Sequence, residues 1–137
     1  MTNSTVSFRP VFWWSLALGW MGLIFLFSAQ SNFDFISEQW NSDPLSVAAH
    51  FSEYALLAAL LAQALRHSRI AATRAARLAF LLSVVYAGSD ELHQAFVPGR
   101  HPDLRDVLVD ALGALAGLCL LHWLLRKQML AKIRQRG

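Results

Sequence analysis

The stretch VFWWSLALGWMGLIFLFSA, residues Val11–Ala29, runs for nineteen positions without a charged side chain. An α-helix rising ~1.5 Å per residue needs about 20 residues to cross a hydrocarbon core ~30 Å thick, so this stretch reads as a membrane span. Three more stretches follow it. Leu45–Leu65 is broken only by His50, Glu53 and a few neutral polar groups, Leu78–Val97 is apolar until Asp90, and Leu104–Leu125 carries Asp106, Asp110 and His122. No strand-like alternation runs through them, and a barrel needs many more segments. The 137 residues are 55% hydrophobic and only 15% charged, with a mean hydropathy of +0.38, which is no soluble domain. The expected fold is all-α: one membrane domain over residues 1–137, a bundle of four transmembrane helices at about 11–29, 45–65, 78–97 and 104–125.

Val11–Ala29 exceeds the ~7–15 residues of a signal-peptide core, and Phe27 is too large for a small-residue cleavage site, so it reads as an uncleaved first helix. The net charge of +3 does not mark a nucleic-acid surface, because the cations are not arranged as one face. Arg9 precedes the first span; Arg66, Arg69, Arg74 and Arg77 fill the second loop; Arg126, Lys127, Lys132, Arg134 and Arg136 form the tail. Short loops rich in Lys and Arg stay in the cytoplasm. Both termini are therefore expected there, in the cell (inner) membrane, with the basic tail against anionic headgroups of the inner leaflet. Arg100 and Arg105 fall on the outer side, and so do all nine carboxylates. The lone Cys119 permits no internal disulfide and reads as a small buried apolar residue.

The connections carry their own signals. Pro10 suits a first helical turn. The first loop, about Gln30–Pro44, contains Phe33, Phe35, Ile36 and Trp40, as a short interfacial helix would, and Ser42-Asp43-Pro44 is a start signal for the second span. Arg66–Arg77 is expected to be helical near its ends. Pro98-Gly99 and Pro102 mark a tight third loop, in which His101 and Asp103 read as solvated turn residues. Such short loops make the last three helices antiparallel neighbours.

With that topology, helical rise places His50 about 7 Å and Glu53 about 12 Å below the outer surface. Asp90 lies about 12 Å and Gln94 about 6 Å down, and Asp106 and Asp110 about 3 and 9 Å. Three helices thus bring polar groups to one outer layer. His50, Glu53, Tyr54 and Leu57 share one helix face; Asp90, His93 and Gln94 share another, with Glu91 about 100° round. Asp106, Asp110, Gly113 and Gly117 form one stripe, and Gly113-x-x-x-Gly117 lets a neighbouring helix come close. The acids therefore face the bundle interior.

These residues carry a resemblance. Ile24-Phe25-Leu26-Phe27-Ser28, His50-x-x-Glu53-Tyr54, Asp90-Glu91-x-His93-Gln94-x-Phe96-x-Pro98-Gly99-Arg100 and Asp106-Val-Leu-x-Asp110-x-x-Gly113-x-x-x-Gly117 resemble the VanZ family over residues 24–117. The resemblance implies a small multi-pass bacterial envelope protein, in a family named after a protein associated with resistance to the glycopeptide teicoplanin. Position 110 is commonly Asn in the family pattern and is Asp here, which adds a carboxylate to the layer.

Ionisable groups in hydrocarbon mark functional sites by default. Glu53, Asp90, Glu91, Asp106 and Asp110 bring five negative charges against Arg100 and Arg105. Shared protons, protonated histidines or a bound cation relieve that excess. As an enzyme, the chain would use Glu53, Asp90 and Glu91 as acid–base groups with His93 as proton shuttle. As a binding or accessory protein, it would hold a ligand through His50, Gln94, Arg100, Asp106 and Asp110. Arg100 suits the phosphate or carboxylate of a lipid-linked envelope precursor, or else pairs with Asp106 or Glu91. A divalent cation, if held, would fall to His50, Glu53 and His93. A polar network that only specifies helix packing is the remaining alternative. No GxSxG, HExxH or P-loop motif identifies a reaction class, and four helices leave little room for alternating access.

In a Cys119→Ala background, an Asp103→Cys variant should react with an impermeant thiol reagent from outside the cell, and a Thr73→Cys variant only after permeabilisation. Protection of Asp103→Cys in intact cells would invert the orientation.

Overall fold

The computed structural model describes residues 8–30, 44–100 and 102–135. They form four α-helices: α1 (Phe8–Ser28), α2 (Pro44–His67), α3 (Ala72–Gln94) and α4 (Leu104–Arg134). No strand occurs among the described residues. The expected interfacial helix of the first loop, with Ser42 and Asp43, lies outside them. Three helices are long and apolar enough to cross a membrane, over Arg9–Ser28, Ser46–His67 and Leu104–Arg134. Helix α3 does not qualify by composition, because Arg74 and Arg77 in its first turns and Asp90, Glu91, His93 and Gln94 in its last leave too short an apolar run between them.

Local chemistry sets the helix ends. At the end of α2, Ile70 N–H donates to the Leu65 carbonyl and Arg69 N–H to that of Arg66, at 3.2 and 3.1 Å. Arg69 takes the left-handed conformation, φ 65°, so the helix closes in a Schellman motif with Ile70 folded back towards Leu65. The second loop is consequently far shorter than residues 66–77. Ala-Ala-Thr-Arg-Ala-Ala-Arg is made mostly of good helix formers, and it enters α3 directly. The third loop turns at Val97-Pro98-Gly99-Arg100, where Arg100 N–H donates to the Val97 carbonyl at 3.1 Å and Gly99 has φ +82°. Proline second and glycine third is the type II pattern. Asp103 is not merely a solvated turn residue. Its carboxylate accepts from Arg105 N–H at 2.8 Å and caps α4, satisfying one orphan donor of the first turn.

The helix α2 packs along all three others, most extensively along α4, while α1 meets α3 only marginally. Small residues make the seams. A methyl on Gly113 would overlap the Phe51 backbone, with carbonyl carbon and Cα at 2.9 Å, and one on Gly117 would come within 2.8 Å of Ala55 Cα. On α3 the buried stripe is Ala75, Ala79, Ser83 and Ala87, leading directly to Asp90, Glu91 and Gln94. Aromatic side chains tie α1 to the bundle: Tyr86 Oη donates to the Met21 carbonyl at 2.7 Å, and Trp20 Nε1 to that of Glu53 at 2.9 Å.

The polarity of the molecule is inverted relative to a water-soluble protein. Asp90, Glu91, Gln94 and Asp110 are buried, whereas Val85, Leu92, Phe96, Leu104 and Leu108 are exposed. Water cannot favour that arrangement, since apolar area left in it costs ~25 cal/mol per Å²; hydrocarbon can. Cys119 belongs to this outer surface and is not the buried residue expected from its leucine neighbours. The α4 stripe that faces α2 is Asp110, Gly113 and Gly117, and position 119 points away from it. With 31 residues, α4 is about 46 Å long, so the basic tail continues the helix beyond a single bilayer core.

Gly117→Ala should destabilise the bundle by about 1–3 kcal/mol, the usual cost of forcing extra atoms into a packed seam. Gly19→Ala, which meets nothing within 4 Å, should be neutral or mildly stabilising. Equilibrium unfolding in detergent micelles distinguishes the two; equal tolerance would show that the α2–α4 contact is looser than described.

Candidate functional site

The antiparallel packing brings the C-terminal ends of α1 and α3 beside the N-terminal parts of α2 and α4. The α2–α4 seam fixes the first contact. Gly113 seats on Phe51, and one turn further out His50 Nδ1 meets Asp110 Oδ1 at 3.2 Å. The His50 side chain is 17% exposed and that of Asp110 1%. This is the only salt-bridge contact between side chains among the described residues, an ion pair when the imidazole holds a second proton.

The helix α3 brings its carboxylates to two sides. Asp90 Oδ2 accepts from Gln94 Nε2 at 3.2 Å, one turn along the same helix, and the Ser28 hydroxyl of α1 lies beside Asp90, outside good hydrogen-bond geometry. Glu91, about 100° round, is also buried. Its Oε2 accepts the backbone N–H of Asp103 at 2.8 Å, which ties the end of α3 to the N-cap of α4. His50 touches Asp110 across the seam, with Glu53 about one turn along α2 and Asp106 about one turn along α4 from the pair. In a poorly solvated interior such interactions are far less screened than in water.

Several buried polar atoms have no hydrogen-bond partner among the described residues: Tyr54 Oη, Asp90 Oδ1, Glu91 Oε1 and Ser28 Oγ in this layer, His93 Nε2 to one side of it, and Ser83 Oγ deeper in α3. A buried unpartnered polar group costs ~1–3 kcal/mol, more when charged. An arrangement with several of them calls for water, protons or a ligand.

Of the sequence-derived candidates, His50 and Asp110 meet across the α2–α4 seam, Asp90 and Glu91 are buried at the end of α3 with Gln94 supporting Asp90, and Glu53 and Asp106 are half-buried, about one turn from His50 and Asp110 on their helices. His93 is set to one side, its ring stacked on Phe25 with centroids 4.5 Å apart. Arg100 pairs with neither Asp106 nor Glu91: its Nη2 reaches the Phe27 carbonyl at 3.4 Å, where a cation meets the negative end of the α1 dipole. Arg105 is exposed. The two arginines counted against the five acids therefore make no ion pair with them. No three His, Cys, Asp or Glu side chains among the described residues are placed to hold a metal ion. Three contributors escaped the sequence reading. Ser28 and Tyr54 were visible only as residues at the right depth and face, whereas Asp103, directly before the α4 apolar run, carried a plain N-cap signal.

Asp110→Leu strips His50 of its partner and should cost about 3 kcal/mol, as expected when one member of a buried pair is removed. Adding His50→Leu should recover most of that loss, because an apolar pair leaves no orphaned polar group. Unfolding free energies of the two singles and the double complete the cycle; strict additivity would mean that the pair is uncoupled.

Comparison with known proteins matches the sequence that carries this layer to a family. A family model described as VanZ/LLP1 covers residues 13–126, from the start of α1 to beyond the polar layer and through most of α4. No curated protein and no solved structure matches the chain. The matched region contains every residue of the layer, and the chain belongs to the VanZ/LLP1 family.

Proposed function

We propose that the chain is a four-span protein of the bacterial inner membrane, with both termini in the cytoplasm and the His50–Asp110 layer opening outward, where it binds an envelope ligand. The observation that carries this reading is the set of buried, unpartnered polar atoms from three helices, Ser28, Tyr54, Asp90, Glu91 and His93, in a chain whose exterior is apolar. Helix α3 completes the fourth span because its polar end is turned inward: Asp90, Glu91 and Gln94 are buried, and Leu92 and Phe96 on the same turns are exposed. The polar groups of its last turns belong to the site, and Arg74 and Arg77 of its first turns to the outer surface.

A lipid-linked envelope precursor is the ligand that best fits a layer reached from within the outer leaflet, and hydrogen-bond donors on it would complement Asp90 and Glu91. Binding is preferred to turnover because the buried acceptors Asp90 Oδ1 and Glu91 Oε1 call for a ligand's donors. The catalytic reading keeps Glu53, Asp90 and Glu91 as acid–base groups with His93 moving the proton, and glycopeptide resistance enters only through the family's name.

In a deletion strain profiled for lipids and peptidoglycan precursors, wild type should restore the profile, while Asp90→Asn, Glu91→Gln and Tyr54→Phe should fail to do so at undiminished membrane abundance. Arg105→Gln, on the exposed rim, should complement. If the three variants lose only abundance, the layer is a packing network and the binding function falls.

A further inference from the structure

The end of the bundle opposite the acidic layer has a recess of about 440 Å³ lined by Arg9, Phe12, Trp13 and His67. We infer that this recess is a second binding site, one that takes the phosphate group of an anionic phospholipid. The site is independent of the polar layer, since it uses the first turns of α1 and the last turn of α2, whereas the layer uses their other ends.

Charge selects the ligand. The sequence holds no Asp or Glu in residues 1–33 or 54–89, the stretches that contain all four lining residues and both helix ends. Arg9 makes no ion pair among the described residues. Arg66 adjoins His67 in sequence and adds positive charge to the same end. An unneutralised guanidinium beside an imidazole at the start of a helix is suited to a phosphate oxyanion, through charge-assisted hydrogen bonds from Arg9 and the positive end of the α1 dipole.

The walls make a lipid the source of that phosphate. Trp13 stacks flat on His67, with planes 4° apart and centroids separated by 5.9 Å. Phe12 packs edge-on against Trp13 at 5.5 Å and is 55% exposed. Trp14 Nε1 donates to Ser68 Oγ at 3.1 Å and pins α1 to the end of α2, so the recess is braced from behind. Beyond Phe12, the exposed Val11 and Leu16 continue an apolar surface along α1. Cationic group, aromatic wall and apolar track occur in the order of a phospholipid's phosphate, glycerol and acyl chain, and Trp belongs at the headgroup level.

The test uses native mass spectrometry of the purified full chain, released from micelles doped with equal phosphatidylglycerol and phosphatidylcholine of identical acyl chains. Phosphatidylglycerol should be retained about five-fold over phosphatidylcholine. Arg9→Gln should abolish that preference, and Phe12→Ala should weaken retention about three-fold; both residues are exposed, so neither change threatens the fold. Arg69→Gln, outside the recess, should leave the preference unchanged. Equal retention of the two lipids, or an Arg69→Gln effect as large as that of Arg9→Gln, would overturn the site in favour of a diffuse basic surface. Inorganic phosphate serves as a competitor: displacement of phosphatidylglycerol, undone by Arg9→Gln, supports the shared oxyanion site. Binding of inorganic phosphate without any lipid preference overturns the lipid assignment.

Discussion

The backbone-to-backbone approach of α2 and α4 is the constraint on which the rest depends. Gly113 and Gly117 leave no side chain between α4 and the Phe51 and Ala55 backbones, and only at that spacing can a residue as short as Asp110 reach His50 across the seam. A bulkier stripe would move the helices apart, and both polar groups would then face a low-dielectric gap without a partner. Hydrocarbon supplies no force that draws apolar helices together, so contact rests on close packing of small residues and on polar bonds between helices. This bundle uses both on the same stripe, the glycines below and the ion pair above. Packing and site formation are therefore one event.

The same logic assigns the other elements their roles. Helix α3 approaches through Ala75, Ala79, Ser83 and Ala87 and delivers Asp90 and Glu91 at the end of that stripe. Glu91 then closes on the Asp103 amide, so a site carboxylate also fixes the turn between α3 and α4. Helix α1 packs extensively on α2 alone, and hydrogen bonds from Trp14, Trp20 and Tyr86 bind it. Arg100 finishes its C-terminal end on the Phe27 carbonyl. The sequence alone left that arginine free to pair with Asp106 or Glu91, because its charge was plain and its reach was not; a long side chain after a type II turn can point to either helix.

What the sequence made legible followed from periodicity and depth. Charge-free length gave α1, Pro98-Gly99 gave the turn, and the shared face of Asp106, Asp110, Gly113 and Gly117 gave the seam. The helical rise put His50 and Asp110 at one level although sixty positions separate them. Hydropathy hid the first turns of α3, where alanines and arginines continue the helix outside the apolar run. It also gave Cys119 a buried place, since surrounding leucines mean burial in water and lipid exposure in a membrane. The unpartnered Tyr54 and Ser28 hydroxyls could not be read at all, because satisfaction depends on neighbours from other helices.

Asp110 now has a physical account. The family pattern that the chain resembles commonly has Asn at this position, which pairs with a neutral imidazole and brings no charge. Aspartate opposite His50 gives the same net charge as soon as the imidazole holds a proton, because the pair then sums to zero. The substitution exchanges a neutral hydrogen bond for a charge-assisted one, shorter and roughly twice as strong where geometry allows, without adding to the excess on Glu53, Asp90, Glu91 and Asp106. Those four remain unmatched by any arginine in ion-pair contact. Since Asp110 is spoken for by His50, the groups left to meet a proton, a cation or a ligand's donors are the oxygens of Asp90 and Glu91 on α3 that have no partner among the described residues.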